Sequence, residues 1–230
     1  MNFLFHIHVG WGCICLTFGA TVLIGFFMHL LSKNFYTLHV FVRKFSMLDL
    51  EFPVSALELA TYIKGIFLLP KEISQISLRS LRTRLYLHFL FIPLKYLTVF
   101  FLCMRLSEKM SFLGNYIFII LAWMQIIPFI CDLVENFYLL QKLHPDSAVS
   151  TPSVHKKYQL LGRAKWAVFL IAIAFSVSSL FYFWLTGSFS NPSLKFLIIL
   201  IVELLIIFVL IKMTKNSSKI NLDQYQNVGN

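Results

Sequence analysis

Residues 85–104, LYLHFLFIPLKYLTVFFLCM, run between Arg84 and Arg105 with a single charge, Lys95, near their middle. A transmembrane helix needs about 20 mostly apolar residues to cross a hydrocarbon core about 30 Å thick, so this stretch reads as a span. Four more stretches share its character. Met1–Leu31 carries no Asp, Glu, Lys or Arg, and Trp166–Leu185 carries none either. Met110–Gln141 holds Asp132 and Glu135, and Phe196–Ile211 holds Glu203. Transmembrane strands would alternate in polarity over about 10 residues, and these stretches do not alternate. The expected fold is all-α: a polytopic transmembrane helical bundle in one integral membrane domain, 1–230. Its five spans fall at about 3–31, 85–105, 112–141, 165–186 and 195–212.

Composition agrees. Of the 230 residues, 58% are hydrophobic and 13% charged, against about 45–50% and about 25% in a soluble domain. That excludes a disordered chain, a collagen, a disulfide-stapled secreted domain and an ordinary soluble enzyme. The cysteines at 13, 15, 103 and 131 lie in apolar stretches without C-x-x-C spacing, so no zinc or redox site is expected. The first span lacks the basic n-region and the small-residue cleavage site of a signal peptide and reads as an uncleaved helix.

The cations orient the bundle. Sixteen of them lie between spans 1 and 2, between spans 3 and 4, and after span 5, whereas the opposite side holds Arg105, Lys109 and Lys195. The N-terminus is expected outside and the C-terminus, with the tail 213–230, in the cytoplasm. The same bias accounts for the net charge of +10 through anionic lipid headgroups, with no nucleic acid. The N-x-S match at Asn216–Ser218 then falls on the cytoplasmic tail, away from glycosylation.

Residues 33–84 form the one sizeable extramembrane segment. Ser55 and Glu58 have capping-box spacing, and Leu57, Ala60, Ile63, Ile66 and Phe67 make an apolar stripe that Pro70 ends. At about 14 residues the helix is too short to span and is expected to lie at the interface with its apolar face on the inner leaflet. A second helix is expected to start after Lys71 and to run into span 2. Arg79, Arg82 and Arg84 on it are candidate contacts for anionic lipid headgroups, or plain positive-inside anchors.

Charge inside the membrane is expensive, about 2.5–3.5 kcal/mol per residue even on the mild insertion scale. At 1.5 Å per residue, Lys95 lies ~16 Å beyond Arg84, Asp132 ~15 Å before Lys142, Glu203 ~14 Å before Lys212 and Glu135 ~10 Å deep. Three helices thus place ionisable groups in one layer. On span 3, Gln125, Asp132, Glu135 and Asn136 share a helical stripe. The expected polar cluster is therefore Lys95, Gln125, Asp132, Glu135, Asn136 and Glu203, with Lys95 and Asp132 paired. Pro93 and Pro128 should kink their helices beside it, Pro128 by freeing the Met124 carbonyl.

The segment Asp132-Leu133-Val134-Glu135-Asn136 resembles the D-x-x-E-N stretch of small, uncharacterised bacterial multi-pass membrane proteins. The resemblance covers those five positions and the general layout. It implies a bacterial inner-membrane setting and carries no activity to transfer.

Seven histidines are scattered, with His6 and His8 two apart on different sides of a helix, so neither a metal nor a cofactor is expected. Three functions compete. The first is a binding or structural membrane component, its polar cluster holding the helices in register while 33–84 meets lipid, a membrane-protein partner or a second copy. The second is a small proton- or ion-linked transporter using Asp132, Glu135 and Glu203, although no internal repeat is present. The third is a lipid-modifying enzyme with Asp132 or Glu135 as acid or base, although no nucleophile, metal set or cofactor motif accompanies them.

Overall fold

The computed structural model describes residues 9–38, 42–144, 149–188 and 191–215. Helix α1 (Trp11–Ser32) is followed by a hairpin of β1 (Tyr36–Leu38) and β2 (Val42–Lys44). Short helices α2 (Met47–Glu51) and α3 (Ala56–Phe67) lead to α4 (Lys71–Ser107). Then come α5 (Phe112–Met124), α6 (Ile126–Lys142), α7 (Pro152–Leu185) and α8 (Asn191–Lys215). The fold is an all-α bundle, apart from the hairpin, and among the described residues four helical stretches are long and apolar enough to cross a membrane. These are α1, α4, α5–α6 taken together, and α7. Helix α8 covers the stretch assigned to a fifth span, with a shorter apolar run over Ile198–Leu210.

Helix α4 is the centre of the bundle, packing against α1, α5, α6 and α7, while α8 lies on α1. Its 37 residues extend about 55 Å at 1.5 Å per residue, far more than a bilayer core needs. The excess of α4, with the first half of α7 and the end of α6, carries a folded head made of the hairpin, α2 and α3. Head and bundle each bury an apolar cluster. One gathers Phe35, Phe45, Leu50, Ile63, Ile66 and Leu81, with Leu139 and Tyr158. The other gathers Ile14, Val99, Cys103, Met104, Phe118 and Ala172. Along α4 the first ends at Leu85 and the second begins at Val99, so the residues between form a separate layer. Large apolar side chains such as Leu16, Leu90, Ile120, Phe137, Leu170 and Phe181 stand exposed along the helices. So much apolar surface is characteristic of contact with lipid, not water.

The hairpin departs from the expectation of a helical 33–84 segment. Its strands are antiparallel, with Tyr36 opposite Lys44, Thr37 opposite Arg43 and Leu38 opposite Val42. Aromatic and β-branched residues suit a pleated surface, and here one face of it is buried by α3. The Thr37 hydroxyl donates to the Tyr62 carbonyl at 2.9 Å. Gly65 makes the approach feasible: a Cβ there would collide with Thr37 Oγ1 and the Leu38 carbonyl. Ser77 on α4 accepts from the Tyr36 amide at 3.3 Å and donates to the Asn34 carbonyl at 3.0 Å, which fixes the hairpin to the long helix.

Both short helices are capped as their sequences require. Ser46 and Asp49 form a reciprocal capping box on α2. On α3 the Ser55 hydroxyl accepts from the Glu58 amide at 3.1 Å, but the Glu58 carboxylate reaches back to the Val54 amide, one residue upstream of the expected partner. The stripe on α3 also differs from its expected role. Leu59, Tyr62, Ile63 and Ile66 are buried against the hairpin and α4, because the hairpin, absent from the sequence reading, covers them. Among the described residues, the large apolar side chains left exposed on the head are Leu48, Phe52, Val54, Leu57 and Leu68.

The expected kink at Pro128 is a break. The helix interrupts at Gln125 and resumes with the Phe129 amide donating to the Gln125 carbonyl at 3.2 Å. Pro128, in the first turn of α6, has no N–H to give Met124, as its ring requires. Pro93 is accommodated inside α4, which runs through it unbroken.

Candidate functional site

The layer between the two apolar clusters is charged. On α6, Asp132, Glu135 and Asn136 follow one another at i, i+3 and i+4, the spacing that stacks side chains on one helix face. Asp132 is 1% exposed and Glu135 2%. Lys95 on α4 meets Asp132, with Nζ 2.6 Å from Oδ2. The neighbouring Tyr96 hydroxyl donates to the same oxygen at 2.7 Å. The rings of Phe129 and Phe169 stand edge-on to Tyr96 and hold it in place. The Lys95 ammonium lies 4.3 Å from the Tyr96 ring centroid and 5.1 Å from that of Phe169, adding cation–π attraction.

The second cation is Lys165 on α7, 3% exposed. Its ammonium lies 2.6 Å from Asp132 Oδ1, in contact with the Glu135 carboxylate and 3.6 Å from Glu51 Oε2. Asp132 is thus held between two ammonium groups, and Lys165 touches three carboxylates. Glu51 closes helix α2, so the last of these contacts joins head to bundle. Two hydrogen bonds run alongside it: Tyr158 Oη donates to the Leu50 carbonyl and Gln159 Nε2 to the Pro53 carbonyl, both at 2.9 Å. Asn136 extends the layer away from the ions. Its Nδ2 donates to the Leu85 carbonyl at 3.0 Å, and its Oδ1 lies 3.3 Å from His88 Nδ1.

Of the six residues expected in one cluster, Lys95, Asp132, Glu135 and Asn136 come together. Gln125 sits at the helix break, donating to the Leu121 carbonyl at 3.1 Å, and is not bonded to the ions. Glu203 is elsewhere. It belongs to α8, whose neighbour is α1, and a Cβ on Gly19 would lie 2.8 Å from Glu203 Oε1. Equal depth did not bring it to the cluster, since α1 stands between α8 and α4.

Lys165, Glu51 and Tyr96 were missed by the sequence reading. Lys165 is one of the cations between spans 3 and 4 and reads from the sequence as a boundary charge. It lies on a stripe that repeats at 3 and 4 residues: His155, Tyr158, Gly162, Lys165, then Ala172 and Ser176, all buried. That period marks an inward face and is the signal that could have found it. Glu51 carries no such signal, being more than 40 residues from any other member of the cluster.

Arg79, Arg82 and Arg84 do not converge, because spacings of three and two residues spread them around a helix. Arg79 is exposed. Arg82 Nη2 donates to the Leu143 carbonyl at 3.3 Å and caps the end of α6. Arg84 turns toward the head, with its guanidinium 5.6 Å from the Phe35 ring centroid. His6, His8 and His39, like Asn216–Ser218, lie outside the described residues. Among the described residues no three His, Cys, Asp or Glu side chains are grouped to hold a metal. Comparison with known proteins finds no matching family model, no matching curated protein and no matching solved structure.

Proposed function

We propose that this chain is a binding or structural component of a bacterial inner membrane, crossing it five times with the N-terminus outside and the C-terminus in the cytoplasm. Its polar layer acts as a lock that fixes the head to the bundle, and the head presents a surface to the inner leaflet or to a membrane-protein partner. One observation carries this reading: from α7, Lys165 contacts Asp132 and Glu135 on α6 and Glu51 on the head's α2 at once. The ions contact one another, as in a lock. The exposed Leu57 and Leu68 on either end of α3 support contact of the head with lipid in place of the expected stripe. Removing Lys165 from the boundary cations leaves the charge asymmetry, and the orientation it supports, intact.

Two measurements test this. A topology reporter fused after Asn230, or within residues 146–153, should read as cytoplasmic, and one at 188–191 as external. An external C-terminus overturns the orientation and the five-span count. Glu51→Gln tests the lock at its longest contact, 3.6 Å, and because Lys165 keeps Asp132 and Glu135 the loss should be about 1 kcal/mol. The melting temperature in detergent should fall by only about 2–4 °C. Tryptic cleavage at Arg43, Lys44 and Lys64 should run about fivefold faster, since local opening of the head becomes easier. Unchanged cleavage would remove Glu51 from the lock.

A further inference from the structure

The head holds a cavity of about 360 Å³ between the hairpin and the start of α3. Small-molecule sites occupy about 300–1,000 Å³, so it is large enough for one. Two opposite charges line it without meeting. Arg43, on β2, lays its guanidinium over the Tyr62 ring, 5.0 Å from the centroid, which steadies the side chain and leaves its N–H edges free. Glu58 stands at the hydroxyl end of that ring, with Oε1 3.2 Å from Tyr62 Oη and Oε2 2.6 Å from the Val54 amide. Among the described residues, Arg43 makes no hydrogen bond and neither charge is in an ion pair. Arg43 is exposed and Glu58 half-buried, so a ligand in the cavity reaches both. Ser55, Thr61 and the exposed Leu57 also line it. The height is specific too. Ser77, to which the hairpin is bonded, lies seven residues before Arg84, where the apolar run of α4 begins. At 1.5 Å per residue that is ~10 Å outside the hydrocarbon, at the outer edge of the headgroup layer.

We propose that this cavity binds the zwitterionic headgroup of phosphatidylethanolamine, with the phosphate on Arg43, the ammonium on Glu58 and an acyl chain along Leu57. A guanidinium presents its N–H donors in a planar fork that matches phosphate oxygens. The Glu58 carboxylate accepts one bond on each oxygen and keeps lone pairs for an ammonium. A purely anionic headgroup meets repulsion from Glu58, and a purely cationic ligand from Arg43. A choline headgroup carries both charges but has no N–H to give the carboxylate. The inference deepens the leaflet contact proposed for the head and rests on it, yet the two fail separately. Reversed topology would leave binding in detergent unchanged, and a head that binds no lipid would still be locked to the bundle by Lys165.

The test follows the melting temperature of the full chain in mild detergent as phosphatidylethanolamine, phosphatidylglycerol, phosphatidylcholine or free phosphoethanolamine is added. Phosphatidylethanolamine should raise the transition of the parent protein, and of Arg79→Gln, by about 3–5 °C at tenfold excess over its dissociation constant. The other two lipids should shift it by less than half as much. In Arg43→Gln the shift should disappear, and in Glu58→Gln the preference for phosphatidylethanolamine over phosphatidylglycerol should be lost. A shift retained by Arg43→Gln, a preference retained by Glu58→Gln, or equal shifts of the parent protein by all three lipids overturns the proposal. A shift reproduced in full by free phosphoethanolamine overturns the lipid source. Should either variant fail to fold, Thr61→Phe decides, because it fills the cavity and leaves both charges in place. It should abolish the shift, and an undiminished one overturns the site.

Discussion

Lys165→Met should cause the largest loss of stability of any single substitution in this chain. The side chain is of similar length and apolar, so packing against α6 is nearly kept and the change is chiefly one of charge. Without the ammonium, Glu135 and Glu51 have no cation in contact and Asp132 keeps only Lys95. Removing one partner of a buried ion pair costs about 3–5 kcal/mol. With three carboxylates affected, the upper end of that range applies, a fall of about 10 °C or more in melting temperature, or loss of yield. Lys156→Met, an exposed cation on the same helix, is the control and should be silent. Adding Glu51→Gln and Glu135→Gln to Lys165→Met should restore much of the loss, because Lys95 and Asp132 then remain as a balanced pair. Equal, small effects at positions 165 and 156 would show that Lys165 is a boundary cation after all.

How much of this was legible beforehand depends on which distances the chain itself encodes. Depth is legible, because a helix converts residue number to height. Lys95 and Asp132 were expected to meet on that ground alone, and they do. Rotation about the helix axis is legible where a stripe is long, as on α6, and was overlooked on α7, where the cation beside Trp166 suggested a boundary. Lateral order is not legible. Glu203 shares the depth of Lys95, yet α8 packs on α1, and nothing in residues 195–212 names that neighbour. The hairpin is hidden for a related reason: three-residue strands give too short a period to read, and what stabilises them is tertiary, the burial of Phe35, Tyr36 and Phe45 with the bonds of Thr37 to α3 and of Ser77 on α4. Once the hairpin is there, it takes the α3 face that the sequence alone assigned to lipid. Local signals are the more dependable ones, as the cap at Ser55 and the stop at Pro70 show.

The pair Lys95 and Asp132 yields the second large effect, and its asymmetry is diagnostic. Asp132→Leu leaves Lys95 without an anion, deprives the Tyr96 hydroxyl of its acceptor and removes one of three carboxylates from Lys165. A loss of about 3–5 kcal/mol is expected, seen as a melting transition some 6–20 °C lower. Lys95→Met should cost less, because Asp132 still has Lys165 2.6 Å away. The double change removes both charges of the pair and should recover most of the loss. Recovery should stop about 1 kcal/mol short, the cost of a buried hydroxyl left without an acceptor. Adding Tyr96→Phe should then recover that remainder, an outcome that a purely electrostatic account of the pair does not anticipate. The coupling between positions 95 and 132 should lie well above the ~0.5 kcal/mol within which independent sites add. Additivity within that margin would mean that Lys95 turns toward an interface in the membrane. Asp132 would then depend on Lys165 alone, and the lock would join three elements, α2, α6 and α7, with α4 left out.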